Sequence, residues 1–172
     1  PYSREDFFKM TRTEYIAAQK RLGGTMYVNI DDYTYEKDGV LGNGTADNSD
    51  KDETKLNYYG APGAKSGKYS DEAVGKSVVF VGGTITSGVT GYKNIDQIGT
   101  SLLLAVPAYT DVTFQGTTFN NVMRFNYQLY TSPWSQLGEL KFDDCTFNGI
   151  IVGATAAQTL TFDGCEFTDF TN

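Results

Sequence analysis

The sequence contains no histidine and only two cysteines among its 172 residues. Histidine is the commonest general base in enzymes and the commonest metal ligand in proteins. Its absence excludes Ser-His-Asp and Cys-His catalysis and argues strongly against a catalytic zinc site. Two cysteines are too few to define a disulfide framework or a redox compartment.

Long apolar runs and clusters of basic residues are also missing. No stretch approaches the length of a transmembrane helix, so we expect no membrane insertion. The net charge is −7, and no basic patch offers a surface to the phosphates of a nucleic acid. We therefore expect no nucleic-acid partner, and the acidic balance also suits an anionic membrane surface poorly.

Aromatic residues and glycine are abundant. The chain has 12 Tyr, 11 Phe and 19 Gly but only 4 Pro. Aromatic side chains favour strands, and glycine permits the tight turns that join them. This composition is typical of a β-rich protein with many short connections.

Four segments of eight residues align without gaps. They are VVFVGGTI (78–85), VTFQGTTF (112–119), LKFDDCTF (140–147) and LTFDGCEF (160–167). Each has apolar residues at positions one, three and eight and a turn residue at position five. The two-residue period predicts a strand, a tight bend and a second strand. Their recurrence predicts the stacked coils of a solenoid, with β-rich stretches after each repeat supplying a third side.

Stacking places each inward side chain on its counterpart in the next coil. Two internal phenylalanine ladders are expected, one of Phe114, Phe142 and Phe162 and the other of Phe119, Phe147 and Phe167. Cys145 and Cys165 share one repeat position and should face inward on adjacent coils. Side-by-side Cβ vectors suit a disulfide poorly, so two free thiols are favoured over a bridge.

The N-terminal region has a helical pattern. Residues 11–23 begin with a capping box, Thr11 to Glu14, and end at Gly23. The apolar positions on one face of this helix are Tyr15, Ile16, Ala18 and Leu22. A strand follows at 25–30, with Met26, Val28 and Ile30 facing inward. Such a helix can cover the open end of a solenoid.

A capping helix, then GGTMYV, then rungs such as VVFVGGTI and FDGCEF resemble the right-handed parallel β-helices of the pectate-lyase-like superfamily. The resemblance implies one all-β domain over 1–172, with an N-terminal α-helical cap at 11–23, a long inserted loop at 38–75 and β-helix rungs at 76–172. The superfamily includes polysaccharide lyases, glycoside hydrolases, phage tail spikes and bacterial surface adhesins. Polygalacturonase-type members need Gly-His-Gly and Arg-Ile-Lys motifs that this chain lacks, so no catalytic residue carries over.

One candidate acid or cation site lies in the repeats. Asp143 and Asp163 should stack on adjacent rungs, where a carboxylate pair can hold a cation or act as an acid and a base. Lys141 and Arg124 are the basic residues considered with them. Asp144 instead aligns with Gly82, Gly116 and Gly164, which indicates a turn residue with positive φ.

Two loops supply further candidates. Exposed aromatic rings stack on sugars and anchor protein interfaces, so the candidate binding residues are Tyr127, Tyr130 and Trp134, with Tyr58 and Tyr59 weaker. The alternative is that these rings fold back over the coil edge. The acidic run 47–53 offers a weak calcium candidate in Asp47, Asp50, Asp52 and Glu53, although a solvated loop explains it as well. No other cofactor is expected.

These patterns favour a non-enzymatic binding or adhesion module of a secreted or cell-surface bacterial protein. Its partner would be a host protein, such as an immunoglobulin or another glycoprotein, or a glycan. The alternatives are a carbohydrate-active enzyme or its inactive remnant, and a purely structural stalk. No polar cap follows the last repeat, so we expect a fragment of a longer protein whose terminal rung is covered by further chain or another molecule.

Overall fold

The structure is a computed structural model that describes residues 1–45, 52–58, 76–90, 101–121, 123–126, 137–149, 151–154 and 157–168. Within these ranges the chain is mostly β, and its strands pair in parallel. The helices are few and lie at the start of the chain. None of the helices in the described ranges is long and apolar enough to cross a membrane.

The strands form three parallel sheets, each stacked along the same series of coils. Sheet I contains, in spatial order, β1 (Tyr2–Ser3), β2 (Thr25–Asn29), β5 (Ser77–Val81), β8 (Asp111–Gln115), β11 (Leu137–Asp143) and β14 (Ala157–Asp163). Sheet II contains β3 (Asp32–Tyr35), β6 (Thr84–Ser87), β9 (Thr118–Asn120), β12 (Thr146–Asn148) and β15 (Glu166–Phe167). Sheet III contains β4 (Asp38–Gly42), β7 (Ser101–Ala105), β10 (Met123–Asn126) and β13 (Ile151–Ala154). The chain visits the three sheets in turn, which is a solenoid-like arrangement.

The register of the sheets confirms the alignment of the repeats. Phe114 pairs with Phe142, and Phe142 pairs with Phe162, across adjacent strands of sheet I. In sheet II, Phe119, Phe147 and Phe167 follow each other in the same way. Since a shift of one residue would turn the apolar side chains outward, this register is fixed by the buried face.

Both phenylalanine ladders form as predicted. Ring centroids lie 5.5 Å apart for Phe114–Phe142 and 5.1 Å apart for Phe142–Phe162, with the rings nearly parallel. The sheet II ladder has spacings of 4.9 Å for Phe119–Phe147 and 5.1 Å for Phe147–Phe167. Rings of the two ladders meet edge to face, the other favourable arrangement for aromatic pairs. The core is therefore a double column of stacked rings.

Two helices close the first coil. Helix α1 (Arg4–Lys9) was not predicted; its N-cap is Ser3, whose side chain accepts a hydrogen bond from the Asp6 backbone N–H. Phe7 of this helix is buried and packs edge to face on Phe80, 5.8 Å away, so it covers the first ring of the sheet I ladder. The sheet I ladder therefore consists of Phe80, Phe114, Phe142 and Phe162, and Phe7 packs on its Phe80 end.

Helix α2 (Arg12–Leu22) is the predicted capping helix. The Thr11–Glu14 capping box is present, and Gly23 ends the helix with φ 77°. Tyr15 and Ala18 are buried, as expected, but the prediction for Leu22 is wrong because its side chain is exposed. The buried stripe ends one turn earlier, at Gln19.

The inserted loop begins later than predicted. Strand β4 occupies 38–42, inside the stretch 38–75 that was expected to be a loop, and pairs with β7. Its glycines are required by packing, since a Cβ at Gly39 would overlap the Tyr35 ring and one at Gly42 would overlap the Ala105 carbonyl. Within the remaining stretch, residues 52–58 pack against the coil, and Leu56 is fully buried.

Candidate functional site

Sheet I carries the predicted pair of carboxylates on its outer face. Phe142 and Phe162 point into the core, so the residues that follow them, Asp143 and Asp163, point outward. The two aspartates are direct neighbours across β11 and β14, and Gln115 occupies the same place on β8. Like charges on neighbouring strands repel, so this pair disfavours the sheet rather than stabilising it.

The basic residues considered with the pair lie in different places. Lys141 is on the same outer face, two residues before Asp143, and its neighbours across the sheet are Thr113 and Thr161. Arg124 lies in β10 of sheet III, next to Gly153 of β13. The structure therefore brings together Asp143, Asp163 and Lys141 but places Arg124 on another side of the coil.

The other carboxylates on this face are hydrogen-bonded within the sheet. Asp111 Oδ1 accepts from the Glu139 backbone N–H at 2.7 Å, and Glu139 Oε2 accepts from Thr161 Oγ1 at 3.1 Å. Among the residues that the structure describes, no three or more His, Cys, Asp or Glu side chains cluster closely enough to hold a metal ion. On these three strands, β8, β11 and β14, the face carries acidic and hydroxyl groups together with Lys141 and Gln115.

Asp144 is the predicted turn residue. Its φ is 52°, in the left-handed region, and the glycines at the equivalent position have φ of 67° (Gly82), 66° (Gly116) and 64° (Gly164). The Asp144 backbone N–H donates to the Asp163 carbonyl at 2.8 Å. Backbone conformation thus accounts for Asp144, and of the adjacent carboxylates Asp143 and Asp144 only Asp143 belongs to the outer face.

The two cysteines are free thiols at equivalent places, as predicted. The Sγ of Cys145 donates to the Phe114 carbonyl, and that of Cys165 donates to the Phe142 carbonyl, both at 3.2 Å. Burial raises the pKa of the Cys145 thiol to about 11. Since thiolates are the reactive form, this buried thiol stays protonated at neutral pH and packs as a small apolar side chain.

Most of the predicted aromatic contacts fall outside the described residues. This applies to Tyr59, Tyr127, Tyr130 and Trp134. Tyr58 is described and half-buried, and its carbonyl accepts a hydrogen bond from Arg12 Nη1 at 2.7 Å. This contact joins the inserted loop to helix α2, so the backbone at Tyr58 helps to hold the loop against the helix.

The acidic run is described only in part. Asp47 and Asp50 lie outside the described residues, and Glu53 is exposed. Asp52 Oδ1 accepts from the backbone N–H and the hydroxyl of Thr54, at 3.0 and 2.6 Å. The hydrogen bonds from Thr54 lower the pKa of Asp52. This carboxylate therefore stabilises a local turn.

A feature that the sequence patterns above did not identify is the polar outer face of sheet II, which also carries Asp32 on β3 and Glu166 on β15. Its outward positions on the three middle strands are Thr84, Thr86, Thr118, Asn120, Thr146 and Asn148. Asn148 Nδ2 donates to Asn120 Oδ1 at 3.0 Å, and Thr168 Oγ1 donates to Asn148 Oδ1 at 2.8 Å. In the sequence, this outer face is indicated by polar residues that alternate with Ile85, Phe119 and Phe147. The hydrogen bonds of Asn148 with Asn120 and Thr168 link adjacent coils on this face and support the sheet.

Another feature is the apolar end of the stack, which the sequence indicated because no polar cap follows the last repeat. Leu160, Phe162 and Phe167 occupy core positions of the repeat but are 45%, 39% and 58% exposed. Their counterparts one coil earlier, Leu140, Phe142 and Phe147, are at most 2% exposed. The repeat alignment contained this signal, because the last coil carries the same inward residues as the coils before it.

Comparisons with protein-family models, with curated proteins and with solved structures found no match.

Proposed function

We propose that this protein is a non-enzymatic binding module built on a right-handed parallel β-helix, of the adhesion type carried by secreted or cell-surface bacterial proteins. The observation that supports this proposal is the separation of Arg124 from the other candidate catalytic groups. Acid–base chemistry on a sugar needs its carboxylates and basic groups around one bond. Here Asp143, Asp163 and Lys141 lie on sheet I, and Arg124 lies on sheet III.

The proposed partner is a host protein, such as an immunoglobulin or another glycoprotein, or a glycan. A stacked coil presents loops from a rigid scaffold, which lowers the entropy lost when a partner binds. The aromatic side chains of 126–136 are the proposed contacts, with Tyr127, Tyr130 and Trp134 as anchors and Tyr58 and Tyr59 as secondary contacts. Tyrosine and tryptophan are the residues most enriched at energetic centres of interfaces.

The test is a protein and glycan array probed with the wild-type domain and two variants. Trp134→Ala removes the proposed anchor, and Tyr27→Ala is the matched control, because Tyr27 is a 49% exposed aromatic residue on β2. We expect Trp134→Ala to weaken binding by roughly 30-fold, the effect of a typical hot spot, and Tyr27→Ala to leave it unchanged. Equal binding by both variants would move the contact site away from this loop. No specific ligand for the wild-type domain would contradict the binding function.

A second candidate, a carbohydrate-active enzyme or its inactive remnant, is favoured by one observation, the direct stacking of Asp143 on Asp163. The measurement is the release of new reducing ends or unsaturated products from a polysaccharide panel, with and without calcium. Product formation by the wild-type domain that is lost in both Asp143→Asn and Asp163→Asn would favour the enzyme over the binding module.

A further inference from the structure

One buried side chain reaches past the neighbouring coil. Tyr35 ends β3 in the first coil (β2 to β4), and its hydroxyl donates to Met123 Sδ at 3.3 Å. Met123 begins β10 in the third coil (β8 to β10), and both side chains are buried. Strands of neighbouring coils lie about 4.8 Å apart, so the first and third coils are roughly 10 Å apart along the stack. The contact therefore bypasses the second coil (β5 to β7).

The second coil leaves space for this contact. The register of sheet II places Ser87 of β6 beside Tyr35, and Ser87 is fully buried. Tyr33, the other inward residue of β3, instead has the larger Ile85 beside it. The residue after Ser87 is Gly88, where a Cβ would overlap the Glu36 carbonyl. Because the second coil has only a short side chain at this position, the Tyr35 ring can extend past it.

The Tyr35 ring is held firmly on the side of the first coil. Gly39 packs so closely against it that a Cβ at Gly39 would overlap the ring. The ring of Tyr33 lies 5.8 Å away, and the Tyr33 hydroxyl accepts a hydrogen bond from the Val40 backbone N–H at 2.9 Å. The Arg4 guanidinium of α1 lies over the Tyr33 ring, 4.9 Å from its centroid. Contacts therefore run from α1 through the two tyrosines to the third coil.

A contact between coils that are not neighbours changes how a solenoid opens. In a stack of coils that touch only their neighbours, a change in the first coil reaches the third coil only through the second. The hydrogen bond from Tyr35 to Met123 adds a direct connection. The first coil then cannot separate from the second without also losing a contact with the third.

We propose that Tyr35 acts as a bolt through the second coil, which makes the first three coils open as one unit. The residues that form the bolt are Tyr35 and Met123, and the residue that admits it is Ser87. The proposal concerns how the scaffold opens. It does not depend on the partner or on the contact site proposed above.

A double-mutant cycle between the two coils tests the bolt. Tyr35→Phe removes only the hydroxyl, and Met123→Leu removes the sulfur while keeping a similar volume. Urea denaturation of the whole chain gives the folding equilibrium constant of the wild type, the single variants and the double variant. We expect the loss in the double variant to be roughly threefold to tenfold smaller than the product of the single losses, because each change removes the same hydrogen bond.

The matched control is a buried hydroxyl that joins neighbouring coils. The Thr117 hydroxyl donates to the Gly82 carbonyl at 2.9 Å, and Thr117 is fully buried. The effects of Tyr35→Phe and Thr117→Val should multiply without coupling, since these residues share no printed contact and act independently. Coupling of equal size in the control pair would overturn the proposal, because it would reflect a general loosening of the core.

Hydrogen exchange of the wild-type protein provides a test that needs no variant. At low urea concentrations, the amides of β3 and β10 should exchange through one opening reaction, with the same dependence on urea. Two results would overturn the proposal. One is multiplicative effects of Tyr35→Phe and Met123→Leu, and the other is exchange of the β3 amides through a smaller opening than that of the β10 amides.

Discussion

At the scale of single residues, the fifth position of the repeat decides how each coil bends. Gly82, Gly116 and Gly164 adopt positive φ there, and Asp144 does so at 52°. A side chain in this region costs roughly 1–2 kcal/mol, while glycine enters it freely. The same position therefore accounts for the carboxylate beside Asp143, because aspartate tolerates positive φ better than most side chains.

Alanine substitutions at two of these glycines should separate backbone strain from side-chain contact. A Cβ at Gly116 meets no atom within 4 Å, whereas one at Gly164 would overlap Asp144 Oδ1. We expect Gly116→Ala to lower the free energy of unfolding by about 1–2 kcal/mol through backbone strain alone. Gly164→Ala should add the contact, and Asp144→Gly should relieve that added part.

Urea denaturation of the single and double variants measures these effects. The informative quantity is the coupling between Gly164→Ala and Asp144→Gly, compared with that between Gly116→Ala and Asp144→Gly. Zero coupling in the first pair would show that the Asp144 side chain moves aside without loss of stability.

At the scale of elements, the repeat alignment predicted eight strands of sheets I and II, their register and both phenylalanine ladders; these strands are β5, β6, β8, β9, β11, β12, β14 and β15. It succeeded because a two-residue period with one buried face leaves only one register. It did not predict α1, because six residues have little intrinsic helical stability and this helix depends on the Ser3 cap and on burial of Phe7. It also missed β4, because the glycines of DGVLG indicate a loop unless the neighbouring Tyr35 ring and Ala105 carbonyl are known.

The sequence also predicted where residues of the candidate acid or cation site lie. The adjacency of Asp143 and Asp163 follows from the repeat, and the structure confirms it. The position of Arg124 on sheet III also follows from the sequence, because the β-rich stretch after the second repeat was predicted to supply the third side of its coil.

The loss of free energy of unfolding caused by replacing a ladder phenylalanine should depend on where that residue lies along the stack. Phe142 packs face to face between Phe114 and Phe162 and edge to face on Phe119 and Phe147. Phe142→Ala should lower the free energy of unfolding by about 3–5 kcal/mol, as expected for a buried aromatic residue. Phe167→Ala, at the exposed end, should cost about 1 kcal/mol or less, since over half of its side chain is already in water. Urea midpoints of the two variants check this order, and equal losses would contradict a ladder that ends at Phe167.

At the scale of the whole molecule, the two ends of the described stack differ in how they are covered. Helices close the first coil, whereas the core positions Leu160, Phe162 and Phe167 of the last described coil are exposed. Each coil contacts mainly its neighbours, as shown by the strictly adjacent pairing in all three sheets. In such a linear arrangement, the free energy of unfolding is the sum of contributions from each coil and from each interface between neighbouring coils. Parts of the stack can therefore unfold separately.

Two buried ionisable groups, in different parts of the stack, can test whether the stack unfolds as one unit. Burial raises the pKa of Tyr15, on the buried face of α2, from 10.0 to about 12. Burial also raises the pKa of the Cys145 thiol, in the fourth coil, from 9.0 to about 11. Both groups are neutral when protonated, and the unfolded chain loses these protons at lower pH than the folded protein. Stability is therefore unaffected by them below about pH 9 and falls as the pH rises, through about 11 for Cys145 and about 12 for Tyr15.

We expect urea midpoints, followed by far-ultraviolet circular dichroism, to fall steadily from pH 9 upward. Cys145→Ala should flatten the decline between pH 9 and 11, and Tyr15→Phe should flatten it between pH 10 and 12, after each variant is referred to its own value at pH 8. If the stack unfolds cooperatively, both variants change the slope of the same single transition. Two transitions, each responding to one variant, would mean that the helix-covered end and the terminal coils unfold separately. A midpoint that does not change between pH 8 and 11 would contradict the burial of the Cys145 thiol, because a solvated thiol would ionise equally in both states.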